Sequence, residues 1–552
     1  MTKVALAAIV LLFGFLLVGN IDKPLLWADE SMTAMFASRV LDYGYPKVHD
    51  ERGNAVYDAE LTAPSLGIDA ENDAILVNMY WMQYYFTAPF VWMARQTDDI
   101  YLKTLLLRLP FAVTGMLGLL VVFLSISPFF STSKQRWEYA TLYGLLGLIS
   151  ITMLLHLREV RYYSLNILFL GFFLNLFVRG RVFRTLPATV YVSLMGLLQV
   201  SIFLLYFPFY FTAVATLAVA EGLLWLTGGS FTLRRWGPGA QDFLWGLLPI
   251  LVTVPIIIPL LNYSRVFKIS ADFSKHFQFN SEIYFNHISS VSNHLQQHEF
   301  LLPALFAKVC VILSRSFFLQ RRESTFSGAW VLSMVLAAFT VVYILIIAQV
   351  PFYVFIRYFI LIIPVLNLGI ALDTLLIFRL LNAKYSNAQL LKYAYSGLGG
   401  LLFLFTFSTN LPLLEGKFYE ATHPYLGPLD VAIPYIKNRF KNTRNLLVAT
   451  NYEDSSLMYY LDCNIAVGFS GIHKTRDSTR VPDIIFYRKW YGNHVGVFNY
   501  YLNKTKYERV EFPIVDTPVN TISELNFPGA SHQFKTLFTK NEPEQVHLYI
   551  KK

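Results

Sequence analysis

Charged residues are scarce in this chain of 552 residues: 15% are charged, whereas 55% are hydrophobic. The mean hydropathy of +0.45 leaves too little polar surface for a soluble protein of this length. Cysteine is nearly absent as well, because Cys310 and Cys463 are the two in the sequence. The composition therefore excludes a soluble globular class and a disulfide framework, and it favours a membrane protein.

Motifs for nucleotides and for zinc proteases are also missing. The sequence contains no Walker-type phosphate loop, no GxGxxG and no HExxH. Nucleotide-driven transport therefore has no support. The formal net charge is +9, but the basic residues form short clusters between apolar segments instead of one basic face. We interpret these clusters as topology determinants and expect no nucleic-acid partner.

Long apolar runs are what the sequence does have. Val4 to Gly19, Phe111 to Phe130 and Trp330 to Ala348 approach the roughly 20 apolar residues that cross a hydrocarbon core. The predicted spans are the first segment and those near 105–128, 139–156, 162–178, 188–206, 209–228, 241–261, 300–316, 328–349, 357–378 and 393–411. The pattern predicts a polytopic α-helical membrane protein with about 11 transmembrane helices.

The basic clusters predict how the bundle is oriented. The first span lacks a small-x-small cleavage site, and we interpret it as an uncleaved signal anchor whose N-terminus is cytoplasmic. Every inside loop is then basic, as the positive-inside rule requires. The residues concerned are Lys134, Arg136, Arg179, Arg181, Arg184, Arg234, Arg235, Arg321, Arg322, Lys384 and Lys392. A multi-pass protein of the bacterial inner (plasma) membrane is predicted.

The same count places three larger regions outside: residues 20–104, residues 262–299 and the tail. The tail contains the strand-like runs Asn445 to Thr450, Asn464 to Phe469 and Asp483 to Tyr487 between amphipathic stretches. We predict a transmembrane domain over 1–411 and a soluble α/β domain over 412–552 on the periplasmic, extracytoplasmic face.

Two carboxylates, Asp29 and Glu30, directly follow the first span. The segment continues helically to Leu41 before Gly44-Tyr45-Pro46 breaks it. A general base needs a carboxylate fixed near the acceptor hydroxyl, and a helix start beside the bilayer can fix one. Adjacent helical residues point about 100° apart, so we expect the two acids to have different tasks. An acidic first turn favoured by the helix dipole is the alternative.

Four arginines are predicted on the outside, against the trend of the inside loops. Arg158 and Arg161 lie in a short outer loop, and Arg108 and Arg357 begin predicted spans. Guanidinium groups at one membrane level could bind a lipid phosphate through bidentate hydrogen bonds. Snorkelling anchors, or an internal pair between Arg158 and Glu159, are the alternative.

Histidines and aromatic residues are concentrated in the outer loops. His276, His287, His294 and His298 lie in one of them, and the last two have the i, i+4 spacing of a metal pair. No carboxylate or cysteine pattern accompanies them, so exposed loop histidines are the favoured interpretation and a divalent metal the alternative. The aromatic group is Tyr80, Trp81, Tyr84, Tyr85 and Phe86. Such rings serve as interface anchors, or they line a groove for a polyprenyl chain or sugar.

Taken together and in order, these motifs resemble the GT-C superfamily of membrane glycosyltransferases. The resemblance is closest to its bacterial branch of protein O-mannosyltransferase-like and lipid A aminoarabinose transferase-like enzymes. The matching segments are Trp27 to Glu30, Gly44 to Pro46, Arg108 to Pro110, Arg158 to Ser164, and Arg357-Tyr358 with Pro364. They span most of residues 1–380.

The resemblance implies inverting transfer of a sugar from a polyprenyl-phosphate donor, bound from the lipid, to an extracytoplasmic lipid, glycan or protein. Asp29 would be the base, with Glu30 second. The donor phosphate would be bound by Arg158, Arg161, Arg357 and Arg108, without a required metal or other cofactor. Glu159 would orient the arginines, with Tyr162 and Tyr358 in supporting positions. The lysine-proline-proline element of aminoarabinose transferases is absent, since Asn78 to Gln83 stands there.

Three alternative functions stay open at the level of sequence, and one of them is a non-catalytic scaffold with an external binding domain, which an inert Asp29 would favour. A transporter or flippase of lipid-linked glycans would also be polytopic, but it should carry charges near the bilayer midplane and interrupted helices in repeated halves. An O-antigen ligase or polymerase would place its important arginines in a large late outer loop. This chain concentrates its acids in the first outer loop, which favours the glycosyltransferase.

Overall fold

The computed structural model describes residues 2–48, 68–69, 75–76, 80–226, 240–267, 280–314, 324–349, 354–385, 388–423, 426–467, 480–488, 495–516 and 545–552. Several residues of the sequence predictions lie outside these ranges. They are Asn78, Met79, Arg234, Arg235, His276, Arg321 and Arg322.

Helices make up most of the described chain. In chain order they are α1 (Thr2–Val18), α2 (Ala28–Tyr43), α3 (Trp81–Ala94), α4 (Ile100–Leu124), α5 (Ser133–Ile149), α6 (Ile151–His156), α7 (Tyr163–Phe177), α8 (Ala188–Leu205), α9 (Phe207–Leu226), α10 (Ala240–Tyr263), α11 (Ser281–His298), α12 (Leu301–Leu313), α13 (Ser324–Ile347), α14 (Ile362–Lys384), α15 (Ala388–Thr422), α16 (Pro428–Arg439), α17 (Asp454–Leu461) and α18 (Val495–Lys504). Short 3-10 helices cover Ser127–Phe129 and Ile356–Phe359, and a π-helical segment continues α7 over Val178–Val182.

Within the described ranges, eight helices are long and apolar enough to cross a membrane: α4, α7, α8, α9, α10, α13, α14 and α15. The chain is therefore a polytopic helical membrane protein, as predicted. Three further predicted spans coincide with shorter helices, because α1 and α5 have 17 residues each and α12 has 13. The span predicted at 139–156 is divided at Ser150, where α5 ends and α6 begins.

Small residues allow the central helices α4 and α7 to approach closely. A methyl group on Gly118 would lie 2.8 Å from the backbone nitrogen of Leu168, and one on Gly171 would lie 2.9 Å from that of Val122. Because lipid offers no hydrophobic driving force between helices, such close backbone packing is what stabilises a bundle. The α4–α7 pair thus forms a rigid centre from which the neighbouring loops extend.

The C-terminal region is an α/β domain, as predicted from its alternating strand and helix patterns. Its strands are β3 (Leu447–Thr450), β4 (Asn464–Val467), β5 (Ile484–Phe486), β6 (Tyr507–Val515) and β7 (Gln545–Lys551), after the two-residue strands β1 (Ile68–Asp69) and β2 (Ile75–Leu76). The sheet order is β4-β3-β5-β7-β6. β3 pairs in parallel with β4 and β5, and β7 pairs antiparallel with β5 and β6. We call residues 426–552 the tail domain.

One end of the bundle carries the tail domain. There the α1–α2 connector (residues 19–27), the α6–α7 loop (157–162) and the turn Ile356–Phe359 come together, joined by hydrogen bonds and ion pairs. Helix α17 of the tail domain lies against α2. We call this end the site end, because it brings together the acids and arginines that the sequence singled out.

Candidate active site

Asp29 and Glu30 lie in the first turn of α2, which begins at Ala28. The helix ends where the sequence predicted, because Gly44 adopts a left-handed φ of 82° and its N–H bonds to the carbonyl of Val40. The two acids point in different directions. The side chain of Asp29 is 26% exposed, whereas that of Glu30 is 0% exposed. Only Asp29 is therefore open to an incoming molecule.

Glu30 is held by Arg108 of α4 in a buried bidentate pair. Nε of Arg108 donates to Oε1 at 2.8 Å, and Nη2 donates to Oε2 at 2.5 Å. The backbone N–H of Val160 donates to the same carboxylate at 3.1 Å. Arg108 also donates to the carbonyls of Ile21 and Pro24, at 3.0 and 2.7 Å. The pair therefore connects α2, α4, the α6–α7 loop and the connector, and removing one partner would leave a buried charge.

Arg158 binds the same connector from the α6–α7 loop. It donates to the carbonyls of Gly19 at 3.1 Å and Lys23 at 3.0 Å. These carbonyls belong to the connector that directly follows α1, and a cation near the C-terminal end of a helix is favourable. Burial and the nearby charge of Arg108 lower the pKa of Arg158 to about 10. Arg108 and Arg158 thus share the task of holding residues 19–25.

Arg161 and Arg357 instead converge on Asp29. Their Nη2 atoms lie 3.6 and 3.2 Å from Oδ2 of Asp29. Arg161 also donates to the carbonyl of Asp29 at 3.2 Å and to the hydroxyl of Thr33 at 3.3 Å. Burial disfavours the charged guanidinium of Arg161, but the Asp29 carboxylate outweighs this and raises the pKa of Arg161. The arrangement keeps one carboxylate between two cations.

Both guanidinium groups retain donors that the described residues do not use. Nε of Arg161 and Nε and Nη1 of Arg357 are buried and have no hydrogen-bond partner within the described ranges. Buried donors of this kind call for an acceptor. The Arg357 guanidinium lies over the rings of Phe355 and Trp27, with its carbon 4.3 and 5.2 Å from the ring centroids. These ring contacts help to hold the guanidinium in place, and an oxyanion could use the remaining donors.

A stack of three tyrosines forms a wall beside Arg161. The rings of Tyr80 and Tyr162 are 5.1 Å apart and nearly parallel, and Tyr162 is 4.7 Å from Tyr206. The guanidinium carbon of Arg161 is 5.5 Å from the Tyr162 centroid. Amphipathic rings in such a stack can contact either a hydrocarbon chain or a sugar face.

Solved structures with a similar fold exist, although no family model and no curated protein matches the sequence. ArnT from Cupriavidus metallidurans bound to undecaprenyl phosphate is 12% identical, with a TM-score of 0.54 over 99% of this chain and 97% of that chain. The archaeal oligosaccharyltransferase AglB from Archaeoglobus fulgidus, in complex with an inhibitory peptide and a dolichol-phosphate, is 11% identical. Its TM-score is 0.50 over 96% of this chain and 74% of that chain. The chain has the fold of the GT-C membrane glycosyltransferases.

A further structure of the A. fulgidus oligosaccharyltransferase, tethered with an acceptor peptide, matches with a TM-score of 0.46 and 11% identity over 85% of this chain. The chain spans 64% of the length of that protein, which is less than two thirds.

The three residues predicted to have supporting roles, Glu159, Tyr162 and Tyr358, also lie at the site end. Glu159 is buried, and its Oε1 is 3.0 Å from Nδ1 of His156. The backbone N–H of Tyr162 donates to the side chain of Gln83 at 3.1 Å, and the carbonyl of Tyr358 accepts from the hydroxyl of Tyr343 at 2.6 Å. The loops of the candidate site are therefore held by neighbours on several helices.

The candidate metal-binding histidines His287, His294 and His298 lie on helix α11, and the first two are buried, so the expectation of exposed loop histidines was wrong for them. His294 and His298 are adjacent, with ring centroids 5.2 Å apart, and Nδ1 of His298 is 2.8 Å from Oδ1 of Asn410. Nδ1 of His287 is 3.1 Å from the carbonyl of Ala348. In the described part of the chain, no group of three or more His, Cys, Asp or Glu residues could hold a metal ion.

Sequence reasoning missed several residues that lie at the candidate site. Trp27 was noted as part of a motif, but its stacking on Arg357 depends on a contact between distant segments. Tyr206 carried no motif, and its place in the tyrosine stack follows from packing. His156 belongs to the same predicted outer loop as Arg158 and Arg161, and its i, i+3 spacing to Glu159 was a signal that could have been used.

Proposed function

We propose that the chain is an inverting glycosyltransferase that moves a sugar from a polyprenyl-phosphate donor to an extracytoplasmic acceptor. The observation that carries this proposal is the convergence of Arg161 and Arg357 on the accessible carboxylate of Asp29, with guanidinium donors left over. The site combines a proton acceptor with positive charge for a phosphate. We further propose that the chain belongs with the bacterial protein O-mannosyltransferase-like and aminoarabinose transferase-like branch, because its ordered motifs resemble that branch.

In the proposed reaction, Asp29 is the base. The acceptor hydroxyl attacks the anomeric carbon from the face opposite the phosphate, and the new C–O bond forms as the bond to the phosphate oxygen breaks. The proton of the hydroxyl goes to the Asp29 carboxylate, and the electron pair of the broken bond goes to the leaving polyprenyl phosphate. A single displacement of this kind inverts the configuration. Glu30 does not serve, because it is fully buried and paired with Arg108.

Arg161 and Arg357 would stabilise the leaving group. Each contacts Asp29 through Nη2. Three other donors have no acceptor among the described residues: Nε of Arg161, and Nε and Nη1 of Arg357. Charge that develops on the phosphate would meet preorganised donors on buried guanidinium groups, where such contacts are stronger than in water. Arg108 and Arg158 would contribute indirectly, because they hold the connector that leads to Asp29. We expect the transfer to need no metal ion, and EDTA should change its rate by less than about twofold.

The two structural neighbours support the class of donor. One is bound to undecaprenyl phosphate and the other to a dolichol-phosphate. The described residues include eight helices long and apolar enough to cross a membrane, so the lipid donor could reach the site from the bilayer. We propose the bacterial inner membrane as the location, with the site end and the tail domain outside, because the basic loops follow the positive-inside rule.

The decisive experiment measures sugar transfer in membranes at matched expression. Radiolabelled sugars on a panel of polyprenyl phosphates are given to wild type, Asp29→Asn and Asp42→Asn. Asp42 is the matched control, since it is an exposed acid of the same helix, paired with Arg95. We expect Asp29→Asn to lose about 100-fold or more in transfer and the control to keep it. Full transfer by Asp29→Asn would show that Asp29 is not the base. No transfer by wild type from any donor would favour transport as the function.

A further inference from the structure

The tail domain reaches the candidate base through helix α17. This helix lies against α2, and the contact is buried on both sides. Two hydroxyl groups of α17 face the connector: those of Ser456 and Tyr460. Both side chains belong to residues that are at most 4% exposed. Both hydroxyl groups therefore form hydrogen bonds with protein atoms and not with bulk water.

Leu26, three residues before Asp29, has both its backbone polar groups bound by α17. The hydroxyl of Tyr460 accepts the N–H of Leu26 at 3.1 Å, and Oγ of Ser456 donates to the carbonyl of Leu26 at 3.0 Å. Oγ of Ser456 is also 2.8 Å from Oγ of Ser31, in the first turn of α2. The hydroxyl of Tyr460 is 2.6 Å from that of Thr104 on α4. One tail helix thus holds the residues on both sides of Asp29.

The tail domain holds α17 firmly from the other side. Arg488, which follows β5, donates to Oε1 of Glu453 at 2.5 Å and to Oδ1 of Asp516 at 2.5 Å. The side chain of Asn451, after β3, pairs with the backbone of Arg488 in two hydrogen bonds of 2.8 Å. Glu453 directly precedes α17. The position of α17 is therefore set by the ends of two central strands of the sheet.

We propose that the tail domain is a positioning element of the transferase site, in which Ser456 and Tyr460 fix the location and direction of Asp29. The connector is held between two surfaces: Arg108 and Arg158 bind it from the bundle, and α17 binds it from the tail domain. A base displaced by about 1 Å can lose on the order of 100-fold in rate. Ser456 and Tyr460 do not touch the reacting atoms, so they act through Asp29, and this inference rests on the proposed function.

The test uses Tyr460→Phe and Ser456→Ala, singly and together, in the full-length protein. Each removes a hydroxyl and keeps the remaining packing. Tyr459→Phe is the matched control, because Tyr459 is the neighbour on the same helix and lines a separate cavity with Arg95 and Lys103. We expect the double variant to lose about 10-fold or more in kcat with little change in the KM for the donor, because Arg161 and Arg357 are intact. The double variant should also lose thermal stability, because the N–H and carbonyl of Leu26 are left buried without these partners. Transfer is therefore compared at a temperature at which both variants remain folded.

Two further readouts separate positioning from a general structural effect. In an Asp29→Asn background, the double variant should lower the residual transfer no further, because residues that act through one group are not additive. Amide hydrogen exchange of residues 25–31 should accelerate in the double variant and not in Tyr459→Phe. A wild-type kcat or unchanged exchange in the double variant overturns the positioning role alone. No transfer by wild type overturns the proposed function and this role with it.

Discussion

The four arginines at the site end differ in what their donors contact. Arg108 and Arg158 donate to carbonyl groups of the connector, and Arg108 also binds Glu30. Arg161 and Arg357 contact the accessible Asp29 and retain donors without a described partner. A guanidinium whose donors are all engaged has nothing left for a ligand. Substitution of Arg161 or Arg357 should therefore lower activity, whereas substitution of Arg108 or Arg158 should lower stability.

Arg357→Lys should lower transfer without unfolding the protein. Lysine keeps the positive charge, but it lacks the planar fork that can contact Asp29 and a phosphate together, and it stacks less well on Trp27. We expect kcat/KM for the donor to fall by about 100-fold, measured by radiolabelled transfer at matched expression. Arg95→Lys is the control, because Arg95 forms an exposed pair with Asp42. Equal activity of the two variants would argue against phosphate binding by Arg357.

Arg108→Ala should instead destabilise the fold. The substitution leaves Glu30 buried and charged without its partner, which costs about 3–5 kcal/mol for a pair of this kind. Chemical denaturation of the detergent-solubilised protein would measure the loss. Adding Glu30→Gln should restore about 1 kcal/mol or more, since a neutral amide is less costly to bury than an unpaired carboxylate. A stable Arg108→Ala protein that has lost only donor binding would assign Arg108 to the ligand instead.

Residue types could be chosen from the sequence, but their partners could not. The sequence indicated that Asp29 and Glu30 point apart, and the structure confirms this with one acid accessible and the other buried. It treated the arginines as one group, because nothing local shows that Arg108 and Arg158 contact carbonyls of residues 19–25. Those bonds join residues far apart in the chain, for which a one-dimensional pattern carries no signal.

At the scale of elements, the end of α11 meets the start of α6. Glu299 is fully buried after α11, and it accepts the hydroxyl of Ser150 at 2.7 Å and the N–H of Thr152 at 3.3 Å. Helix α6 leads directly to His156 and the arginine loop. The sequence predicted one continuous span here, because Ser150 is short and its surroundings are apolar. Ser150 caps α6 locally, because its hydroxyl accepts the N–H of Met153 at 3.3 Å, and Glu299 adds two hydrogen bonds from a distant segment.

Burial of Glu299 predicts a dependence of stability on pH. Burial raises the pKa of Glu299 from 4.5 to about 7. Between these values the folded protein binds a proton that the unfolded chain has released, so stability should fall as pH rises through this window. The melting temperature of Glu299→Gln should vary less from pH 5 to 7.5 than that of wild type. Glu282→Gln, at an exposed position on α11, should behave as wild type. A pH profile of Glu299→Gln identical to that of wild type would contradict the burial argument.

At the scale of the whole molecule, the fold class followed from the sequence but the docking of the domains did not. Apolar runs and strand-like patterns are local, and they predicted the helical bundle and the α/β tail domain. The hydrogen bond from Leu26 to Tyr460 joins residues 434 positions apart. Ser456 and Tyr460 have no unusual neighbours in the sequence, so their contact with the connector could be found only from the folded chain.

The two ends of the bundle predict the orientation of the protein in its membrane. Lys134 and Arg136, at the start of α5, lie at the end opposite the connector and the tail domain. The positive-inside rule places that basic end in the cytoplasm. The test uses a chain in which both native cysteines are removed by Cys310→Ser and Cys463→Ser. A single cysteine then replaces either Arg509, in the tail domain, or Lys134. A membrane-impermeant maleimide should label Arg509→Cys in intact cells or spheroplasts and Lys134→Cys only after permeabilisation. The reverse pattern would put the site end in the cytoplasm, where the acceptor and the donor lipid would have to be found instead.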